Sequence, residues 1–136
     1  MFEDVPAYPF MIIAALLGGL FLFANARMSR YRQAASKFRE SIEPTISKLN
    51  HSEDDSTAIL EADFDRHEQA VREFSRYLAF SKKRFLVCWR DYAFHPEAGI
   101  RFLEAYSSLG VSVSKAKSNR GLAISKLTRL VNHAKP

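Results

Sequence analysis

Three stretches of apolar spacing organise the chain. The first shows no polar alternation at all. Residues Val5 to Ala26 include no Asp, Glu, Lys, Arg or His, and their centre reads PFMIIAALLGGLFLFA. A helix of these 22 residues is roughly 33 Å long at about 1.5 Å per residue, against a hydrocarbon core of about 30 Å. The pattern predicts a transmembrane helix whose lipid-facing anchor is Phe10, Ile12, Ile13, Leu16, Leu17, Leu20, Phe21, Leu22 and Phe23. Ala14, Ala15, Gly18 and Gly19 make a small-residue patch on it, of the kind that lets two membrane helices approach closely.

The second stretch switches to one-sided spacing. Tyr31, Ala35, Phe38, Ile42, Thr45 and Leu49 follow at alternating steps of 4 and 3, a heptad seam. The membrane helix is expected to run on into a helix over 28–49, with a kink near Glu43 where Pro44 removes a backbone donor. Residues 50–56 read as a turn, with Asp55 or Ser56 as the cap of the next helix. The third stretch is the longest: Leu60, Phe64, His67, Val71, Phe74, Leu78, Ser81, Phe85, Cys88 and Tyr92. No Gly or Pro falls between Thr57 and His95, so the direct reading is one long helix over 57–94, or two nearly collinear ones, weakest at Ser81–Arg84. The short turn makes the two seams antiparallel partners. His95-Pro96 closes that helix. A short helix over 97–109 stopping at Gly110 and a basic C-terminal helix over 118–133 complete the pattern.

The fold class is therefore all-α. Residues 1–27 form an N-terminal tail and a single transmembrane helix, and 28–136 form a helical domain, coiled-coil-like in its hairpin. Two alternatives for the first segment carry less weight. A signal peptide would need a positive n-region, but Glu3 and Asp4 precede the apolar run, although Ala24-Asn25-Ala26 has the form of a cleavage site. A buried core helix would need a larger body around it.

Charge sets the orientation. Arg27, Arg30, Arg32, Lys37 and Arg39 follow the apolar run before any acid, and no basic side chain precedes it. Lys and Arg beside a span stay in the cytoplasm. The N-terminus is thus expected outside and residues 27–136 inside. The net charge of +5 is unevenly spread. An acidic block over 53–73 lies between the basic residues 27–39 and the basic, acid-free residues 114–136. The last of these invites a lipid- or nucleic-acid-binding reading. It has no aromatic residue for base stacking, however, and nucleic acid is not an expected partner. The single cysteine, Cys88, excludes an internal disulfide.

Candidate chemistry is sparse. Asp63 and His67 stand one turn apart, but Phe64 occupies the place a Glu-x-x-His metal motif would need, so the favoured role for His67 is a bond to a carboxylate across the helix pair. A metal-binding or enzymatic helical domain is the remaining alternative. Cys88 sits in basic surroundings but on the apolar seam. Trp89, with Phe85 and Tyr92, reads as core. No nucleophile elbow, Walker loop, dinucleotide turn or zinc spacing appears, and no catalytic residue, cofactor, metal or small-molecule substrate is expected.

The blocks FRESIEPTISKL, HEQAVREFSRYL, FLVCWRDYAFHP and FLEAYSS resemble a group of small uncharacterised bacterial helical proteins with an N-terminal hydrophobic segment. The resemblance covers residues 38–108. It implies a bacterial inner-membrane setting and carries over no activity. His67, Glu68, Trp89 and Tyr92 fall in the matching blocks and are the candidate interaction or structural positions. The expected role is a non-catalytic interaction or assembly module at the membrane surface, with a protein partner or self-association through the long seam.

Overall fold

In the computed structural model, which describes residues 8–93 and 106–135, the chain is helical and contains no strand among those residues. Among the described residues four helices occur in order: α1 Tyr8–His51, α2 Ser56–Ser75, α3 Lys82–Ala93 and α4 Val113–Asn132.

Helix α1 runs for 44 residues without a break. Its two halves have opposite fates. Up to Arg30 every side chain is exposed, and from Ala35 on the seam is buried at Ala35, Phe38, Ile42, Thr45 and Leu49. Pro44 does not end the helix. The bond it forfeits is to the Glu40 carbonyl, and both residues lie on the exposed side, where water can serve that oxygen.

Helix α2 runs back along α1. Phe74 meets Tyr31 and Phe38 at ring-centroid distances of 5.9 and 5.0 Å, while nearer the turn Lys48 pairs with Asp63 at 3.6 Å. Helix α3 then reverses again. The expectation of one helix over 57–94 would put Phe64 and Trp89 about 37 Å apart. Their rings instead stack at 5.6 Å, and Phe74 and Phe85 meet edge-on at 5.3 Å. Residues 76–81 make this turn with neither Gly nor Pro. The reversal has a packing reason: Leu78 within the turn and Phe85 just after it enter the same core, so the seam keeps its phase across the reversal.

The expected helix over 97–109 falls mostly outside the described residues; residues 106–112 form a turn in which Gly110 has φ +71°, the left-handed region glycine favours. Helix α4 starts earlier than position 118. Ser112 caps it by accepting from the Lys115 N–H at 3.2 Å. It runs antiparallel to α1, with Arg120 against the end of α1 and Lys135 against Tyr31. Antiparallel packing on α3 places His133 by Phe85 and Lys126 by Asp91. Helices α1–α2, α2–α3, α3–α4 and α4–α1 are all in contact, so the domain closes as an up-down-up-down bundle. Phe38, Ile42, Leu60, Phe74, Phe85, Tyr92, Leu127 and Leu130 fill its centre.

Candidate functional site

The bundle has two ends of opposite character and one polar device between them. Thr45 on α1 and Asp63 and His67 on α2 are buried together. The Thr45 hydroxyl lies 2.7 Å from Asp63 Oδ2 and 2.9 Å from His67 Nε2. One hydroxyl has one proton, and the ionised carboxylate takes it. His67 Nε2–H therefore donates into the Thr45 oxygen, which fixes the tautomer. The other nitrogen, Nδ1, has no hydrogen-bond partner among the described residues. The carboxylate linked to His67 belongs to its own helix, and Thr45 supplies the bond across the pair. Burial pushes His67 down to about 4, against the pull of Asp63, so the ring is neutral near pH 7. Burial also works against the Asp63 carboxylate, but the Thr45 hydroxyl, Arg66 and Lys48 outweigh it and hold the group below its usual range. Thr45 and His67 are wholly buried and Asp63 nearly so. The triad fixes the register and rotation of α2 on α1, because a slip of one residue would strand two buried polar side chains.

The other singled-out positions fall around it. Glu68 faces outward and pairs with Arg72 at 2.6 Å. Trp89 stacks on Phe64 and leans on Tyr92 at 5.5 Å, and Tyr92 stacks on Tyr106 at 5.6 Å. Tyr106 donates to the Tyr92 carbonyl at 2.7 Å. Burial drives both phenols far above their ordinary range, and the Asp63 charge adds to the effect at Tyr92. Cys88 lies 3.3 Å from His133 Nε2, a neighbour 45 residues away that no sequence spacing announces. Burial pushes the thiol up, Arg129 opposes this and Asp91 adds to it, so the pair does not hold a thiolate at neutral pH. Among the described residues no three His, Cys, Asp or Glu side chains converge as metal ligands.

The end away from the apolar half of α1 is sealed by polar contacts. The Arg120 guanidinium donates to the Leu49, Ser52 and Asp54 carbonyls and to Ser56 Oγ. It serves carbonyls at the α1 terminus and in the turn that helix geometry leaves unpaired. Asp55 accepts from the Ser108 N–H at 3.0 Å and its hydroxyl at 2.5 Å; burial opposes its charge, but these bonds prevail and lower its pKa. Much of the basic segment 114–136 is thus spent inside the domain: Arg120 here, and Lys126 and Arg129 on Asp91 at 3.5 and 3.9 Å.

The opposite end is where α1 leaves the bundle. The anchor residues between Phe10 and Phe23 are 54–70% exposed, and a side chain added at Gly18 or Gly19 would touch nothing. This half of α1 is long and apolar enough to cross a membrane, and none of it is packed within the domain. At its exit a cleft of about 600 Å³ opens between the segment Phe23–Tyr31 and the α2–α3 turn, with Arg27, Arg30 and Arg76 around it and Tyr77 and Leu78 as the far wall.

No protein-family model matches the chain, and neither a curated protein nor a solved structure shows significant similarity to it.

Proposed function

We propose that the chain is a single-pass, non-catalytic membrane module. The apolar half of α1 spans the bilayer and the helical bundle stands on its inner face, where it serves interaction or assembly. The observation that carries this reading is the division of α1: one unbroken helix whose first half finds no partner in the domain and whose second half is a wall of its core. A soluble domain would leave that half uncovered in water. Arg27, Arg30 and Arg32 at the exit support a cytoplasmic bundle. A bacterial inner membrane is the setting the sequence resemblance implies.

The long seam is not available to a partner, since Leu60, His67, Val71, Phe74, Phe85 and Tyr92 are consumed within the bundle. Self-association is therefore assigned to the span, through Ala14, Ala15, Gly18 and Gly19. Paired C-terminal reporters, one active only in the cytoplasm and one only outside, test the orientation. Cysteine crosslinking in membranes at positions 14, 15, 18 and 19, in a Cys88→Ser background, tests the contact. Cytoplasmic activity with crosslinked dimers is expected; a chain that extracts as a monomer and crosslinks to nothing would reject the assembly role.

A further inference from the structure

The α2–α3 turn and the start of α3 carry features that the bundle does not explain. Phe80 is 101% exposed and Tyr77 is 48% exposed, just ahead of three consecutive cations, Lys82, Lys83 and Arg84. Those cations form the first turn of α3, which contains no acid. This is the unfavourable end for positive charge, where the helix dipole and free N–H groups favour anions. None of the three makes an ion pair among the described residues, and no Asp or Glu occurs between Glu73 and Asp91. A fully exposed aromatic beside charges placed against their own helix is a poor fit to water and a good fit to an anionic interface.

The level of the turn decides which interface. Tyr77 and Leu78 face the Phe23–Tyr31 segment across one cleft, so the turn stands beside the stretch of α1 where the apolar run ends and arginines begin. If α1 spans a bilayer, that stretch lies among the lipid headgroups. The Tyr31 hydroxyl also donates to the Lys135 carbonyl at 3.3 Å, which brings the chain just past α4, with the Lys135 cation, to the same level.

We infer that the α2–α3 turn is a second membrane contact, with Phe80 seated in the interface and Lys82, Lys83 and Arg84 on the headgroups of anionic lipids. This rests on the membrane-anchored reading above. Cations near an anionic leaflet are attracted to it and released by salt, and an aromatic ring is at home at the boundary of hydrocarbon and headgroup. Together they would hold the bundle at two points instead of one.

Fluorescence depth measurement on the full chain tests this. With Trp89→Phe as background, a single tryptophan is placed by Phe80→Trp, and in a second protein by Phe21→Trp. Each is reconstituted into phosphatidylcholine vesicles with or without phosphatidylglycerol, containing lipids brominated near the headgroup end of the acyl chain. Both tryptophans are expected to be quenched in the anionic vesicles. Changing Lys82, Lys83 and Arg84 to Gln, or omitting phosphatidylglycerol, should reduce quenching at position 80 and leave position 21 unchanged. Quenching at 21 without quenching at 80, or quenching at 80 indifferent to phosphatidylglycerol, overturns the second contact and leaves the anchor standing. Quenching at neither position removes the anchor as well. Position 80 is fully exposed, so the substitution does not disturb the core, and circular dichroism checks that it has not.

Discussion

Thr45 is one hydroxyl, yet it holds two helices in one register through Asp63 and His67. Thr45→Val keeps the shape and removes the bond, leaving the buried imidazole without an acceptor and the Asp63 carboxylate with only its ion pairs to Lys48 and Arg66; a loss of about 2 kcal/mol in a denaturation experiment is expected. His67 makes stability pH-dependent in a defined window. The unfolded chain binds a proton at this ring near 6.5, whereas the folded chain refuses it until about 4. Stability therefore falls as pH drops from 6.5 to about 4, by about 3 kcal/mol in all, and this contribution is flat outside those limits. Asp63 and Asp55, both held below 3.8, add a separate loss at still lower pH. Thermal unfolding against pH, compared with His67→Gln, isolates the His67 window, which the variant should lack. His67 was legible in the sequence as a polar break in an apolar face, and Asp63 as a carboxylate one turn away from it. Their connection through Thr45 was not, because threonine at a seam position reads as a tolerated small residue.

Among the elements, the α1 seam was legible to the residue because one helix face meets one core. The reversal after α2 was hidden for a physical reason. A heptad pattern reports which side of a helix is buried, not whether the chain has turned around, and residues 76–81 lack the Gly or Pro that would punctuate them. The stacked pair Phe64 and Trp89 gives a direct check. Phe64→Ala should shift Trp89 emission to the red and raise its solvent quenching, whereas in one straight helix the two residues would be too far apart to communicate. Arg120 was similarly disguised, as one cation in a basic tail, since the carbonyls it serves lie about 70 residues earlier. Arg120→Lys should destabilise the domain almost as much as Arg120→Ala, about 2 kcal/mol, because an ammonium cannot span the acceptors a guanidinium reaches. Hydrogen exchange should show the loss first at residues 49–56.

For the whole molecule, the sequence displayed the division between an apolar rod and a charged domain, because that division is one of composition. The closure of four helices into a bundle was not displayed, since it depends on contacts such as Cys88 with His133 and Tyr31 with Lys135 that join distant parts of the chain. Cys88 should be slow to alkylate at pH 7.5 in the folded protein and fast once it is denatured, as its half-buried thiol and raised pKa require.

The unbroken passage of α1 from its apolar half into the core has a mechanical meaning. No joint separates the rod from the body it carries, so the domain cannot swivel on its stalk. From Arg27 to His51 the helix extends about 36 Å. A tilt of about 20° in the bilayer, ordinary for a single span, would swing its far end sideways by about 12 Å. If the apolar half of α1 spans a bilayer as proposed, anything that reorients a few turns of helix there is felt, enlarged, at the sealed end of the bundle.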